Sequence, residues 1–344
     1  MRCGSTSVLA LLPSLLLACT HAAPDSPAPD ATTEVEPDAY DGPDFCNATD
    51  PRPTPVDVAA TPEAGEAPYL AALTSAQHSI DVEIYLMGYG GILDTLKAKA
   101  AAGVKVRAIL DLSKMSTNQK YYDMLVAAGA EVKWSSPSFT YQHTKMLVVD
   151  KTIAVISTGN FSKSYSIDLE RNFVATDRDP ADLADLVSLF EADWTGQPAQ
   201  MSCTRMVISP INSRSRILDL INSATQTLDI ESMQFADYKV RDAVKARIEA
   251  GVQVRAMIAD VGFVDANAAA ADYLKSLGVT VKWIPHLHTK VLVADGVRAY
   301  LGSENLSQTS LDKNREVGLI VTDDASIAPL RTTFETDWAA GTAF

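Results

Sequence analysis

Two short segments hold the residues best able to do chemistry. The first reads His143-Thr144-Lys145, continues through an apolar run to Asp150, and ends at Gly159-Asn160. The second reads His288-Thr289-Lys290, continues to Asp295, and ends at Gly302-Ser303-Glu304-Asn305. Both fit H-x-K-x4-D, and in both the Asn follows the His by 17 residues. An imidazole can serve as nucleophile, base or acid near neutral pH, and a lysine offers a compact cation to an anion. In a strand, residues two apart project to one face, so each His stands beside its Lys. One H-x-K is an ordinary solvated strand end. Two of them, at equal internal spacing inside a longer repeat, point to one composite site.

The elements that must position these residues also occur twice. Ser79 to Met87 alternates, with Ile80, Val82, Ile84 and Leu86 on one face and Asp81, Glu83 and Tyr85 on the other, which is strand periodicity. The spacing predicts a helix over 92–102 closed by Gly103, a strand over 104–111, a helix over 119–128 ended by Gly129, a short strand at Val132-Lys133-Trp134, and a helix over 179–193. The second half replays this order. Leu228-Asp229-Ile230-Glu231 matches Ile80-Asp81-Val82-Glu83, Val281-Lys282-Trp283 matches Val132-Lys133-Trp134, and Phe334-Glu335-Thr336-Asp337-Trp338 matches Phe190-Glu191-Ala192-Asp193-Trp194. The expected architecture is two repeated α/β/α halves with mixed central sheets, related by a pseudo-two-fold axis at which the equivalent motifs meet. Glu83 and Glu231 read as a solvated face, with the alternative that they line the axis.

The paired motifs, Gly302-Ser303-Glu304-Asn305 and Asn314-Arg315-Glu316 resemble the phospholipase D superfamily, over nearly everything after Glu63. The resemblance implies attack on a phosphodiester through a phosphohistidine, which needs a nucleophile, an acid for the departing oxygen and positive charge on the phosphoryl oxygens. By position, it implies His143 as nucleophile and His288 as general acid, then base. Lys145, Lys290, Asn160, Asn305 and Ser303 would hold the phosphoryl oxygens, and Thr158 aligns with Ser303. Asp150 and Asp295 would brace the motifs. Glu316, 28 residues after His288, matches the family's carboxylate partner of a histidine ring. In the first half the segment is Glu170-Arg171-Asn172, so that aligning Arg171 with Arg315 puts Asn172 where an acid is expected. The Asn oxygen could accept the ring N–H, or Glu170 could substitute. No metal and no cofactor is implied. His286 then reads as pocket lining rather than a metal ligand, and Phe139, Tyr141, Tyr89 and Phe235 would suit an acyl or glyceride surface.

Composition narrows the substrate. The 344 residues carry a formal net charge of −14. Between Thr20 and Glu66 there are 11 acidic residues and one basic, Arg52, so the remainder is only mildly acidic. No basic stripe for a phosphate backbone stands out, which disfavours nucleic acid as a partner. A phospholipid, hydrolysed at its head group or passed to another alcohol as in cardiolipin synthesis, is the expected substrate class, with hydrolysis as the leading reading and an endonuclease of the same superfamily or a non-catalytic membrane-tethered binding protein as the rivals.

The N-terminus reads as targeting. Residues 1–18 form a signal peptide, and Leu16-Leu17-Ala18-Cys19 resembles a lipobox with Cys19 as the lipidated residue. The protein is then a membrane-anchored envelope lipoprotein, or secreted if cleavage falls near Ala22-Ala23. Residues 19–62, rich in Pro, Ala and Asp, read as a disordered tether. The repeats are expected over 63–200 and 201–344, in a monomeric chain. Cys46 and Cys203 form a candidate disulfide in an oxidising compartment.

Overall fold

The alternating segment at Ser79 and the apolar run after Lys145 become neighbouring antiparallel strands. The structure, a computed structural model, describes residues 47–199, 201 and 204–344. Its first half contains β1 (Asp57–Thr61), α1 (Ala67–Ser75), β2 (Ser79–Ile84), α2 (Gly91–Ala101), β3 (Lys105–Leu110), α3 (Met115–Ala127), β4 (Glu131–Trp134), β5 (Lys145–Val149), β6 (Ile153–Ser157), β7 (Asn172–Asp177) and α4 (Pro180–Thr195). The second contains β8 (Met206–Ser209), α5 (Ser213–Asn222), β9 (Thr227–Ser232), α6 (Tyr238–Glu249), β10 (Gln253–Ile258), α7 (Asn267–Ser276), β11 (Thr280–Trp283), β12 (Lys290–Ala294), β13 (Arg298–Gly302), α8 (Gln308–Asp312), β14 (Glu316–Val321), α9 (Asp324–Ala340) and β15 (Thr342–Ala343).

The two sheets share one topology. The first runs β1-β7-β6-β5-β2-β3-β4; the second runs β8-β14-β13-β12-β9-β10-β11 and adds β15 at its far edge. In each, three parallel strands joined by helices pass into antiparallel hairpins. The register Ile84↔Lys145 and Ser232↔Lys290 sets each H-x-K motif at the carboxyl end of a parallel strand, where loops gather.

Both faces of the central strands are covered. Leu147 and Val149 pack with α1 to α3 in the first-half core, whereas Met146 and Val148 face a shared core. That shared core takes Phe173 and Ala175 from β7, Leu186 and Phe190 from α4, Val291 and Val293 from β12, and Leu330 from α9. Double coverage explains why β5 and β12 read as unbroken apolar runs after their lysines. Among the described residues, no helix is long and apolar enough to cross a membrane.

Three expectations change here. The stretch from Asn47 to Pro62 is structured, although the composition of 19–62 reads as a tether. Its β1 pairs in register with β7, and the Arg52 guanidinium lies 2.5 Å from Asp182 Oδ2 and donates to Ile320 O at 2.7 Å. One buried arginine and one edge strand bind this segment, and composition does not register either. Glu83 and Glu231 are buried rather than solvated, in keeping with the alternative that they line the axis: Asp193 of α4 and Arg315 of the other half face Glu83, and Asp337 of α9 and Arg171 face Glu231. Asp81 holds Arg107 at 2.7 Å, and Arg107 also binds Glu191 and lies over the Phe190 and Trp194 rings. Arg255 repeats this with Asp229, Glu335, Phe334 and Trp338. Phe235 is core, fully covered in the second half, and does not line a surface. Cys19, Cys46 and Cys203 lie outside the described residues.

Candidate active site

The two H-x-K segments are stitched together across the seam by backbone. His143 N donates to Arg315 O at 2.9 Å, and Arg315 N donates to Tyr141 O at 2.9 Å. Equivalently, His288 N donates to Arg171 O at 3.1 Å, and Arg171 N donates to His286 O at 3.0 Å. His286 has φ +57°, and it contributes this carbonyl from an exposed position rather than lining a buried pocket. The side chains of the same arginines cross in parallel. Arg315 Nε lies 2.8 Å from Asp193 Oδ2, and Arg171 Nε lies 2.7 Å from Asp337 Oδ2. The Phe-Glu-x-Asp-Trp repeat is thereby explained. Its Glu serves its own half, its Asp clamps the other, its Phe is buried and its Trp is half-buried against it.

This crossing decides which group backs each histidine. His143 Nδ1 lies 2.7 Å from Glu316 Oε2 of the second half, and His288 Nδ1 lies 2.9 Å from Asn172 Oδ1 of the first. The carboxylate expected from the second half thus serves the first motif's ring. Ser310 Oγ donates to Glu316 Oε1, and Asn314 Nδ2 donates to the same oxygen at 2.8 Å. Asn172 Oδ1 also accepts from Thr158 Oγ1 at 2.9 Å, while its Nδ2 donates to Ser166 O at 3.0 Å. The carboxamide orientation therefore follows from its partners. An amide oxygen can only accept, so His288 Nδ1 carries the proton, and Nε2 is left as the acceptor, 3.5 Å from the Lys290 ammonium. Gly159 leaves room for this amide, since a Cβ there would come within 2.6 Å of the Asn172 side chain.

Lys145 and Lys290 are each 1% exposed, and their ammonium groups each donate to the carbonyl of the preceding His at 2.6 Å. Burial brings Lys145 down to about 8, against the pull of Glu316, Glu170 and Glu304. Burial and the Lys145 charge push Lys290 well below the usual lysine range. Both imidazoles shift the same way. Burial lowers His143, although Glu316 opposes it. Burial, then Lys290, Lys145 and His143, push His288 far below its ordinary value. Burial thus disfavours the charged forms of both lysines and both imidazoles, and an anion placed among them would restore those forms. Such a cluster suits a phosphodiester monoanion.

The remaining expected residues fall on two levels. Asn160 and Asn305 are half-buried, their backbone N–H groups held by Ser166 Oγ at 2.9 Å and Ser310 Oγ at 2.8 Å. The Oδ1 atom of each is buried with no hydrogen-bond partner in the protein. Ser303 is buried, and its hydroxyl accepts Val317 N–H at 3.0 Å, tying β13 to β14. Asp150 and Asp295 sit at the other end of β5 and β12 from the lysines. Asp150 accepts three backbone N–H groups from Gln77, His78 and Ser79, each at 2.7 Å, and Asp295 does the same for Thr225 to Thr227.

Some site residues escaped sequence reasoning. Ser166 and Ser310 each lie six residues before the group that backs a histidine, and superposing the repeats would have found them. Tyr85 packs edge-on against the His143 ring, centroids 4.6 Å apart, and nothing in the pattern marked it beyond the polar face of its strand. Glu304 is fully buried beside Tyr300, and burial and the Glu316 charge push it well above the usual carboxylate range. Its counterpart is Gly159, so the repeat conceals it. Phe139 lies under the Arg315 guanidinium, 4.3 Å away, and packs on the seam.

Comparison with known proteins agrees with this geometry. The family described as "Cardiolipin synthase, PLD-like domain" matches residues 69–194 and again 217–338. The protein named "Probable cardiolipin synthase YwiE" from Bacillus subtilis (strain 168) is 24% identical over 320 residues, which is 77% of this chain and 62% of that protein. "Cardiolipin synthase" from Clostridium perfringens (strain 13 / Type A) is 24% identical over 311 residues, 74% of this chain and 64% of that one. The chain thus spans a little under two thirds of the length of these curated relatives. Among solved structures, phosphatidylserine synthase from Haemophilus influenzae Rd KW20 has a TM-score of 0.69 at 12% identity, covering 87% of this chain and 88% of its own, a likeness of fold.

Proposed function

The chain belongs to the phospholipase D superfamily, as a two-copy member of the family described as cardiolipin synthase, PLD-like domain, and from that premise we propose that it is a phosphatidyltransferase acting on phosphoglycerides. The observation that carries this is the union of two H-x-K motifs across the seam, with two buried lysines and one carboxylate-backed histidine. The curated relatives are named cardiolipin synthases, which supports transfer to an alcohol over the hydrolysis that led the sequence reading.

In the first step His143 Nε2 attacks phosphorus, the bond from phosphorus to the head-group oxygen breaks, and His288 gives its proton to that oxygen. In the second step an acceptor hydroxyl attacks the phosphohistidine. His288 Nε2 takes the hydroxyl proton, and the P–N bond breaks. Lys145 and Lys290 balance the phosphoryl charge throughout. The bound monoanion favours the charged forms of the groups around it, and so raises His288 toward its protonated form.

Surface composition supports a lipid over a nucleic acid. Among the described residues, the exposed large apolar side chains are mostly on connections at the Lys145 and Lys290 ends of the sheets. They are Tyr89, Met115, Tyr165 and Leu169 in one half, and Tyr238, Val261 and Phe263 in the other. Apolar residues around the mouth of a phosphate site fit a bilayer surface. An anchor at Cys19 would keep that mouth near its substrate.

The test is to offer the purified chain phosphatidylglycerol vesicles in EDTA, and separately phosphatidylcholine vesicles with ethanol and single-stranded DNA. Cardiolipin plus glycerol, or phosphatidylethanol, absent in His143→Ala and His288→Ala, is the expected result. Phosphatidic acid as sole product would return the reading to hydrolysis. DNA cleavage with intact lipid would overturn it.

A further inference from the structure

Each histidine is served by the same three residue types in opposite order. The first half reads Glu170-Arg171-Asn172; the second reads Asn314-Arg315-Glu316. On the His143 side, Glu316 touches the ring nitrogen, and Asn314 stands behind it at 2.8 Å with Ser310. On the His288 side, Asn172 touches the ring nitrogen at 2.9 Å, and Glu170 stands behind with Ser166. Glu170 Oε2 lies 2.5 Å from Ser166 Oγ, 3.4 Å from Asn172 Nδ2 and 3.8 Å from His288 Nδ1. Glu170 is 2% exposed and Asn172 is 1% exposed.

The two rings are therefore unequal in a symmetric scaffold. A carboxylate in direct contact stabilises a ring that becomes cationic and stays so, as an N-phosphorylated imidazole does. An amide in contact fixes the tautomer but adds no charge, and leaves a ring that releases its proton more readily. A carboxylate one amide further back still favours the imidazolium, by less.

We propose that Glu170 is a positioning residue that acts through Asn172 on His288, and that the reversed order of Glu and Asn makes His143 the nucleophile and His288 the proton carrier. This rests on the two-histidine reading above. The charged groups facing His288 are Lys290 on β12, Lys145 on β5, His143 before β5 and Glu170 before β7.

The experiment follows ring-labelled histidines by NMR in the full chain with orthovanadate bound, and measures turnover separately. Glu170→Gln should lower the His288 imidazole pKa by about one unit and leave His143 within a few tenths. Glu170→Asp should restore most of the loss. The order swap, Glu170→Asn with Asn172→Glu, should raise His288 by about one unit. If substrate turns over, kcat should fall in Glu170→Gln with KM unchanged, and in the swap alkali-quenched phosphohistidine should appear on both rings instead of His143 alone. A His288 titration unchanged in both variants overturns the proposal, whatever the turnover. Absence of turnover on every phospholipid in the unaltered chain, with the titrations moving as stated, would overturn the functional reading and leave only the action of Glu170 on His288 standing.

Discussion

His143 Nδ1 and Glu316 Oε2 are 2.7 Å apart although 173 positions separate them in the chain. They come from different halves, so the carboxylate-backed imidazole exists only when the halves are docked. The pair is buried, and the field of His143 and Lys145 more than offsets burial, holding the Glu316 carboxyl below its ordinary range.

Glu316→Gln should therefore cut kcat on phosphatidylglycerol vesicles by roughly 10²–10⁴-fold, because the ring loses the charge that supports it as it is phosphorylated. Thermal unfolding run beside the rate assay separates chemistry from stability. A folded variant within tenfold of the parent rate would show that the contact is structural only.

Anion affinity should depend on pH in a direction set by Lys145. Its ammonium, brought down to about 8, is charged below that pH and neutral above it. Calorimetry with orthovanadate should show tight binding at pH 7 that weakens as pH rises through 8, with proton uptake visible when buffers of different ionisation enthalpy are compared. Lys145→Met should weaken binding at pH 7 and flatten the dependence between 7 and 9. The same slope in that variant would assign the titration to another group.

Much of this site was legible in the sequence, and the limits have physical causes. The motifs, the repeat and the strands at Ser79, Val104, Val132 and Met146 were readable from periodicity and apolar runs, as at Ile80 to Ile84 and Met146 to Val149. The crossing of partners was not, since periodicity describes faces of one element and not which half a carboxylate reaches. Glu83 and Glu231 were left between a solvated face and the axis for the same reason: alternation reports two faces, and only the docking of the halves shows that both are covered. The segment at Arg52 was misjudged because one buried ion pair to Asp182 outweighs the composition of its surroundings.

The seam should fail when one clamp partner is removed. Arg315 and Asp193 side chains are 8% and 6% exposed, so Asp193→Ala strands a guanidinium away from water. The expected loss is about 3–5 kcal/mol of unfolding free energy. Relief of Glu83, which burial and Asp193 raise well above the ordinary carboxylate range, draws the figure toward the lower end. Adding Arg315→Met should recover part of the loss in urea titrations. A single variant as stable as the parent would mean that the backbone bridges alone join the halves.

Glu231 gives the chain a stability slope of opposite sign to that of an ordinary paired carboxylate. It is fully buried, and burial and Asp337, against Arg171, raise it to about 8. The folded state therefore holds this proton up to about pH 8, whereas the unfolded chain releases it near 4.5. Between those values the folded form binds more protons, so stability falls as pH rises through that window. Below 4.5 both states are protonated and the term vanishes. Glu231→Gln keeps the shape and removes the titration, so it should match the parent near pH 4.5 and exceed it by on the order of a few kcal/mol at pH 8. Urea midpoints at pH 4.5, 6 and 8 measure this directly. A parent and variant that run parallel across the range would show that Glu231 is ionised in the folded protein, with Arg171 and not a proton as its partner.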